Sequence, residues 1–526
     1  MLAALALCLL VEVSLGFEVV GPTTGLEITN QYLAPDGFTR STTVAGGTFP
    51  GPLIQGVKGD RFQIDVKDSL HDKTMLQSTS VHWHGIFQRG TNFADGTSSV
   101  TQCPITTGSS FLYDFPVPDQ AGTFWYHSHL SVQYCDGLRG PFVVYDGIDG
   151  VNDPHRDLYD VDDESTIITL SDWYHLPTPV LLEQPGKQRF NSTLINGLGR
   201  FYQDPTSALT VISVEPMKRY RLRIISMSCD PNYIFSIDGH DLTIIEADGE
   251  NTVPHTVNAM RILAGQRYSA ILHAKQPVDN YWIRAQPDTE AFGFNGTAFE
   301  SGINSAILRY VGAPEGDPTS TQETPVVLLK EADLHALEHP GAPGLPYPGG
   351  ADLVLNLTLG LNTTTGKFTI NTVPFQPPSV PVLLQIMSGA QKAQDLLPQG
   401  SVYGLPLNKT IEINLIGGMA LGDPHPMHLH GHSFDVVKSA DSAVTNYIDP
   451  VRRDVTSVLL GNTTTIRFVT DNPGPWFLHC HIDFHLEAGM AVVLAEAIDD
   501  TMSFNPTSVA WDNLCPNYYQ LSPDQL

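Results

Sequence analysis

The feature that most constrains this chain is a set of five His-x-His pairs. The pairs are His82/His84, His127/His129, His428/His430, His430/His432 and His479/His481. Composition alone predicts roughly 0.7 such pairs for a chain with this histidine content. On a β-strand, residues i and i+2 point to the same face, about 7 Å apart. One metal ion cannot easily bind both rings of a pair, whereas two neighbouring ions can take one each. The pairs therefore predict a cluster of several transition-metal ions, for which imidazole is the most common ligand.

The pairs lie only in the first and last parts of the chain. A shared cluster therefore requires that two distant regions of the sequence dock against each other. The sequence has no Cys-x-x-Cys group and no carboxylates interleaved with these histidines. This argues against a structural zinc site and against a di-iron carboxylate site.

A second kind of metal site is predicted around Cys480, which stands between His479 and His481. In an extended strand its side chain points to the face opposite to both neighbours. A metal ion on the cysteine side is then joined by the backbone to metal ions on the histidine side. Together with His425 and His485, Cys480 supplies the His₂Cys ligand set of a blue-copper electron-transfer site.

Short strand-like runs rich in Val, Ile and aromatic residues dominate the rest of the chain. Five examples are residues 62–66, 167–170, 220–225, 410–415 and 465–469. These runs, together with 45 Gly and 39 Pro, predict an all-β protein of sandwiches or barrels. The acidic, turn-rich residues 146–165 and the linker-like residues 312–325 divide the chain into three pieces of ordinary domain size.

The charge balance excludes one class of partner. The 56 Asp and Glu residues outnumber 28 Lys and Arg, which gives a formal net charge of -28. Such a surface repels phosphate backbones and anionic lipid, so we expect neither a nucleic-acid partner nor membrane binding.

The first residues predict export from the cell. The apolar run 2–11 is followed by the small residues Ser14 and Gly16, as in a secretory signal peptide spanning residues 1–16, although no Lys or Arg precedes the run. A buried N-terminal strand is the alternative. No later apolar stretch reaches about 18 uninterrupted residues, so we expect a secreted, extracellular protein without an anchor. Six Asn-x-Ser/Thr glycosylation sequons agree with this, at Asn191, Asn295, Asn356, Asn362, Asn408 and Asn462.

Five cysteines remain after removal of the signal peptide, namely Cys103, Cys135, Cys229, Cys480 and Cys515. In an oxidising compartment four would pair and one would stay free. The sequence alone allows any of them to be the odd one and leaves three pairings for the other four. Cys480 is the obvious candidate for the free thiol, because a copper thiolate is protected from pairing.

Four motifs resemble the copper motifs of multicopper oxidases: HWHG at 82–85, HSH at 127–129, HPMHLHGH at 425–432 and HCHIDFHLEAGM at 479–490. Their order and spacing are similar to those of fungal laccases along essentially the whole mature chain. The resemblance implies three consecutive cupredoxin-like Greek-key β-sandwich or barrel domains, at residues 17–150, 151–315 and 316–526. It also implies a three-copper cluster between the first and third domains.

By position, the resemblance implies four copper ions held by ten histidines and one cysteine. The type 1 copper takes His425, Cys480 and His485, and the type 2 copper takes His82 and His428. One type 3 copper takes His84, His127 and His481, and the other takes His129, His430 and His479. His432 stays outside this set and is expected to pack against or support a ligand.

The same resemblance implies disulfides Cys103–Cys515 and Cys135–Cys229, which tie the first domain to the C-terminal tail and to the second domain. Ten residues after Cys480, fungal laccases usually carry Phe or Leu, whereas this chain has Met490. A thioether at that place can act as a weak axial copper ligand. Simple packing of Met490 is the alternative.

Three aspartates are candidate catalytic residues. Asp230 would accept the proton that a phenol loses on oxidation, or it is an ordinary turn residue before Pro231. Asp95 matches a family carboxylate beside the cluster and would supply protons for oxygen reduction. Asp483 would do the same or would only orient a histidine.

The implied activity is that of a laccase. Small phenolic or aromatic donors are oxidised one electron at a time at the type 1 copper, and O₂ is reduced to water at the cluster. We expect a monomer, with lignin degradation, pigment formation or detoxification as possible roles. The alternatives are a soluble metallo-oxidase for Fe(II), an ascorbate oxidase, or a copper-binding cupredoxin scaffold without turnover. The complete ligand set argues against the last.

Overall fold

The computed structural model describes residues 16–184, 186–288, 299–322, 324, 326–418 and 424–522. Within these residues the chain forms six β-sheets, two in each of three consecutive regions, with few and short helices. The all-β prediction is confirmed, and all five strand-like runs lie in strands. Residues 1–15 of the predicted signal peptide and the sequon at Asn295 lie outside the described residues.

The first region contains nine strands: β1 (Val19–Val20), β2 (Thr23–Leu33), β3 (Arg40–Ala45), β4 (Leu53–Val57), β5 (Arg61–Asp68), β6 (Val81–His84), β7 (Ser110–Pro116), β8 (Gly122–Ser128) and β9 (Arg139–Tyr145). They form a four-stranded sheet in the order β3-β2-β5-β7 and a five-stranded sheet in the order β1-β4-β9-β8-β6. Strand β5 alternates strictly, with Phe62, Ile64 and Val66 buried between exposed or half-buried neighbours. This period of two gives the sheet one apolar face, which packs in the core between the two sheets.

The second region contains eleven strands: β10 (Ile167–Trp173), β11 (Ser192–Ile195), β12 (Val211–Val214), β13 (Arg219–Ser226), β14 (Tyr233–Ile237), β15 (Leu242–Ala247), β16 (Glu250–Val257), β17 (Ala259–Ile262), β18 (Arg267–His273), β19 (Asn280–Pro287) and β20 (Ser305–Tyr310). The sheet orders are β11-β10-β13-β18-β15-β16 and β12-β20-β19-β14-β17. A short helix, α1 (Thr178–Leu182), lies between β10 and β11.

The third region also contains eleven strands: β21 (Leu353–Asn362), β22 (Lys367–Ile370), β23 (Val402–Leu405), β24 (Thr410–Gly417), β25 (His425–Leu429), β26 (Phe434–Lys438), β27 (Arg452–Arg453), β28 (Val455–Val458), β29 (Thr463–Val469), β30 (Gly474–Cys480) and β31 (Ala491–Glu496). The sheet orders are β22-β21-β24-β29-β26-β27 and β23-β31-β30-β25-β28. Its helices are α2 (Val382–Met387), α3 (Asp483–Glu487), α4 (Ile498–Phe504), α5 (Val509–Asp512) and α6 (Leu514–Tyr518).

Two antiparallel strand pairs place the histidine motifs. In the first domain β6 pairs with β8, so that His82 lies opposite His127. In the third domain β25 pairs with β30, so that His428 lies opposite His479. Each pair of motifs that is distant in sequence is thereby brought side by side within one sheet.

Two disulfides tie the domains together, Cys103–Cys515 and Cys135–Cys229. They are the same two pairs that the family resemblance implies. The C-terminal helices also contact the first domain, where the Trp511 indole N–H donates to the Thr101 carbonyl at 3.0 Å. The tail therefore lies against the first domain rather than extending from the third.

The segment before the third pair of sheets lies along the second domain. The Leu329 N–H donates to the Ala259 carbonyl at 2.9 Å, and the Val253 N–H donates to the His335 carbonyl at 2.9 Å. The predicted boundaries at residues 150 and 315 stay predictions. In the described residues, no helix is both long and apolar enough to cross a membrane.

Candidate metal centres

Eight histidines converge at one buried place between the first and third domains: His82, His84, His127, His129, His428, His430, His479 and His481. Three overlapping groups each bring one ring nitrogen per residue within 4.8 Å of the others: His82/His84/His127, His82/His428/His430 and His129/His430/His479. The eighth histidine, His481, belongs to the same cluster, because its Nε2 lies 3.2 Å from His84 Nδ1. The structure thus brings together all eight histidines that the sequence predicts for the cluster.

Backbone carbonyls orient several of these rings. The Nδ1 atoms of His82, His127, His428 and His479 lie 2.7–2.9 Å from the carbonyl oxygens of Asp95, Ser128, Asp454 and Cys480. A carbonyl oxygen only accepts hydrogen bonds, so each Nδ1 carries the proton and Nε2 keeps its lone pair. The tautomer that binds a metal ion through Nε2 is therefore set by the backbone.

The nitrogens that face the cluster fit a metal ion. Among the described residues, the Nε2 atoms of His82, His127, His129 and His428 are buried without a hydrogen-bond partner. A buried polar atom left unpaired costs free energy, and a bound metal ion would satisfy all four. Imidazole is a good ligand for copper, so this group of histidine nitrogens suits copper ions.

Burial keeps six of the cluster histidines neutral. Burial, reinforced by repulsion from neighbouring histidines, lowers the pKa well below the ordinary value for six of them: His84, His127, His129, His430, His479 and His481. Neutral imidazole is the form that ligates metal ions.

A second centre lies on the opposite side of β30. Cys480 Sγ is 3.5 Å from His425 Nδ1 and 3.7 Å from His485 Nδ1, and the two Nδ1 atoms are 3.2 Å apart. Burial raises the pKa of the Cys480 thiol and lowers that of His425 to about 4. A bound metal ion would deprotonate the thiol outright. His485 is only half-buried, whereas the other nine predicted histidine ligands are buried.

Met490 lies next to this second centre. Its carbonyl accepts a hydrogen bond from the Cys480 N–H at 3.0 Å, and its own N–H donates to the His485 carbonyl at 3.0 Å. The side chain is fully buried in the apolar cluster that also contains Cys480. Axial ligation by Met490 stays a prediction.

The predicted aspartates have different surroundings. Asp95 is buried, with Oδ2 at 2.9 Å from His430 Nδ1 and Oδ1 at 3.3 Å from His82 Nδ1. Asp483 instead lies beside the disulfide of Cys135, with Oδ2 at 3.7 Å from Cys135 Sγ, and burial raises its pKa well above the ordinary value. Asp95 is thus in direct contact with two cluster histidines, and a proton-carrying role for either aspartate stays a prediction.

Asp454 is a cluster residue that the sequence reasoning missed. Its Oδ1 lies 3.2 Å from His84 Nε2, and its carbonyl accepts from His428 Nδ1. Burial alone would raise the pKa of Asp454, but Arg267, which donates to both carboxylate oxygens at 2.6 and 2.7 Å, lowers it to about 2. The sequence signal is slight, a short charged run at residues 452–454 outside every histidine motif.

His432 points away from the cluster. Its Nε2 lies 2.8 Å from a carboxylate oxygen of Glu496, which also accepts a hydrogen bond from the Asn472 N–H. His432 thus contacts a carboxylate instead of the cluster, and its place outside the ligand set stays a prediction.

A cavity of about 660 Å³ opens onto His485. Apolar side chains from the second and third domains line it, among them Leu182, Phe368 and Phe484. Asp230 also lines it, with a side chain only 6% exposed and Oδ1 at 3.4 Å from Lys187 Nζ. The cavity therefore gives a small molecule access to the edge of the second metal centre beside a carboxylate.

Comparisons with known proteins agree with this architecture. Multicopper oxidase family models match residues 27–148, 164–313 and 375–500. Laccase-4 of Trametes villosa is 57% identical over 528 residues, which cover 99% of each chain. The solved laccase of Botrytis aclada has a TM-score of 0.83 at 30% identity, covering 97% of this chain and 94% of that one. Fet3p, a multicopper oxidase that functions in iron import, has a TM-score of 0.81 at 27% identity, covering 95% of each chain.

Three cupredoxin-like domains, a histidine cluster between the first and third, and a His₂Cys site beside it define a copper-dependent oxidase. The chain belongs to the multicopper oxidase family. Its activity is of the laccase type, because a laccase is 57% identical to it over 99% of the chain. The predicted resemblance to fungal laccases is thereby confirmed.

Proposed function

We propose that this laccase-type enzyme holds four copper ions. The type 1 ion would be held by His425, Cys480 and His485, with the Met490 thioether as a further, weak ligand. The type 2 ion is held by His82 and His428. The type 3 ions are held by His84, His127 and His481, and by His129, His430 and His479. Support comes from the buried donor nitrogens and from the family to which the chain belongs.

Copper supplies one-electron oxidation of the donor at the His₂Cys site and reduction of O₂ at the cluster. The chain supplies the connection between the two places, because Cys480 is covalently joined to His479 and His481. Each of four phenols gives up one electron and one proton. The four electrons and four protons convert one O₂ into two water molecules, so the reaction balances.

The single observation that carries the donor site is the half-buried edge of His485 in the cavity. A phenol resting there needs no bond to a metal ion, so donors of varied shape are accepted. The apolar walls favour an aromatic ring. Small phenolic or aromatic molecules and O₂ are therefore the proposed substrates.

Aspartates move the protons. Asp230, which lines the cavity, accepts the proton that leaves the phenol hydroxyl. Asp95 contacts His82 and His430 and is the proposed proton source for the cluster. Asp483, three residues after Cys480, is a secondary candidate for the same task.

We also propose that the enzyme works outside the cell as a monomer, with lignin among its targets. The signal-like N-terminus supports export. Four sequons stand on exposed residues and one, at Asn191, on a half-buried residue; the exposed four are Asn356, Asn362, Asn408 and Asn462.

Oxygen uptake with three donors tests the proposal. Copper-loaded enzyme is given a methoxyphenol, Fe(II) or ascorbate in parallel, and O₂ consumption is followed with an electrode. We expect the phenol to be oxidised with the highest kcat/KM. Strong preference for Fe(II) would favour a metallo-oxidase, the runner-up that the likeness to Fet3p makes worth testing. A blue protein without O₂ uptake on any donor would contradict an oxidase of any kind.

A further inference from the structure

We propose that Lys187 makes this enzyme selective for phenols that carry a carboxylate. The inference rests on the proposed donor site at His485 and adds the chemical class of substrate that this site prefers. The observations behind this proposal are the position of Lys187 and the charged side chains that line the cavity.

Lys187 belongs to the second domain, which supplies none of the eight cluster histidines. It follows α1 in the connection between β10 and β11, and it lines the cavity together with its neighbours Gly186 and Gln188. Its side chain is 32% exposed, so solvent and donors can reach the ammonium group. The cavity is thus lined by a cation that comes from a different domain than His485.

A second cation, Lys367 at the start of β22, lines the same cavity from the third domain. The chain as a whole has a formal net charge of -28. Two ammonium groups therefore line one cavity of an acidic protein. The carboxylates of Asp230 and Glu487 also line the cavity, so side chains of both charges face a bound donor.

The Glu487 carboxylate accepts a hydrogen bond from the Ser131 hydroxyl at 2.9 Å. The Asp230 carboxylate is 3.4 Å from Lys187 Nζ. With a neutral phenol in the cavity, the Lys187 ammonium stays beside Asp230 and competes with the phenol hydroxyl for the carboxylate oxygen atoms. The ion pair thus opposes the step that Asp230 is proposed to assist.

A phenol with its own carboxylate changes this arrangement. The lysine side chain is flexible, and its ammonium can form an ion pair with the carboxylate of the donor. The donor is then held by charge as well as by the apolar walls, and Asp230 is released to accept the phenolic proton. Both effects favour the acidic donor over an uncharged one.

A matched pair of donors tests this selectivity: a methoxyphenol with a carboxylate and the methyl ester of the same molecule. The kcat/KM for each is measured by oxygen uptake at about pH 6, where the carboxyl group is ionised. Exposed ion pairs are weak, so we expect the acid-to-ester ratio of kcat/KM to fall about 3- to 10-fold in Lys187→Gln. The loss should be mainly in KM for the acid, and Lys187→Arg should restore most of the ratio.

Lys392→Gln is the control, because Lys392 is exposed and does not line the cavity. Added salt should lower the ratio in the wild-type enzyme and have little effect on it in Lys187→Gln, because screening weakens exposed ion pairs. A ratio that is the same in Lys187→Gln and Lys392→Gln would overturn the proposal while leaving the laccase activity intact. Absence of oxygen uptake with both donors would instead contradict the proposed function itself.

Discussion

Neighbouring residues decide how each metal-facing histidine is oriented. His127 and His479 place Nδ1 on the carbonyl of the very next residue, Ser128 and Cys480. His82 and His428 use more distant carbonyls for the same purpose. The tautomer of His127 and His479 is therefore fixed within the motif itself, whereas that of His82 and His428 depends on carbonyls 13 and 26 residues away.

Asp230→Asn should slow the oxidation of phenols more than that of donors that lose an electron without a proton. The asparagine keeps the shape but cannot take up the phenolic proton, so we expect kcat/KM for phenols to fall by about tenfold or more relative to the proton-free donor. Steady-state kinetics on both donors measures this. Asp241→Asn, at an exposed position of the same domain, is the control. Equal losses on both donors would remove Asp230 from the proton path.

Met490→Phe should raise the reduction potential of the type 1 copper. A thioether donates electron density to the oxidised ion, and the benzene ring does not. Redox titration of the blue absorption measures the potential. Met490→Leu separates loss of sulfur from added bulk and should shift the potential in the same direction. An unchanged or lower value in both variants would mean that Met490 only packs.

Alternation along a strand decides which side chains are buried, and in β5 one of the buried positions holds a charged residue. Asp68, at the end of β5, occupies a buried position where the pattern calls for an apolar residue. Its Oδ1 accepts a hydrogen bond from the Leu70 N–H at 2.9 Å. Oδ2 is buried without a hydrogen-bond partner among the described residues. Burial raises the pKa of Asp68 to about 7.

This raised pKa predicts a pH-dependent stability of the first domain. Between the unfolded value of 3.8 and the folded value of about 7, the folded state binds more protons than the unfolded state. The free energy of unfolding therefore falls as pH rises through this window. The full destabilisation by the ionised Asp68 carboxylate is present above pH 7. Asp68→Asn removes this titration.

We expect the difference in melting temperature between Asp68→Asn and the wild type to shift in favour of the variant when the pH is raised from about 4.5 to about 7.5. The corresponding change in the free energy of unfolding is a few kcal/mol at most. Calorimetry of both proteins at the two pH values measures the difference, in which the other titrating groups cancel. Asp65→Asn, exposed on the same strand, is the control. The same difference at both pH values would show that Asp68 does not titrate there.

Docking of the three domains completes the metal cluster. Arg267 of the second domain is fully buried and donates to Asp454 of the third domain and, at 3.0 Å, to the Thr123 carbonyl of the first. Asp454 in turn contacts His84 and His428. The domain that contributes no histidine to the cluster therefore still helps to hold it.

Arg267→Met should weaken copper binding at the cluster while leaving the His₂Cys site occupied. Removing one partner of a buried ion pair leaves an uncompensated carboxylate and costs about 3–5 kcal/mol. We expect less total copper per protein at unchanged blue absorption, measured by metal analysis and visible spectroscopy. Arg267→Lys should retain part of the copper.

Arg284→Met is the matched control for that loss. Arg284 forms a buried pair with Asp238, with both contacts at 2.7 Å, inside the second domain. The Arg284→Met substitution should lower the stability of the protein without changing its copper content. If both arginine variants lose copper equally, the effect of Arg267 is general destabilisation rather than support of the cluster.

Much of this enzyme could be predicted from the sequence alone. The strand periodicity gave the all-β class, because alternate side chains share a face whatever the rest of the fold does. Eight of the ten predicted ligand histidines were identified for the same reason, because a spacing of two residues along a strand places both rings of a pair on one face. His425, Cys480 and His485 were predicted from the ligand chemistry of a His₂Cys site, and the family resemblance implied which residues share a copper ion. With Cys480 as the free thiol, cysteine content limited the disulfides to three pairings, and only the family resemblance selected Cys103–Cys515 and Cys135–Cys229.

Other features were decided by the tertiary structure. Asp454 reaches His84 across 370 residues, Arg267 reaches Asp454 across 187, and Lys187 and Asp230 of the second domain line one cavity with His485 of the third. No local pattern encodes such contacts, because they depend on how whole domains dock and not on the period of one strand. The sequence, with the family resemblance that its motifs carry, therefore determined which residues are predicted to form the metal sites, whereas only docking of the domains decided which charged groups surround those residues and that His485 opens onto a cavity.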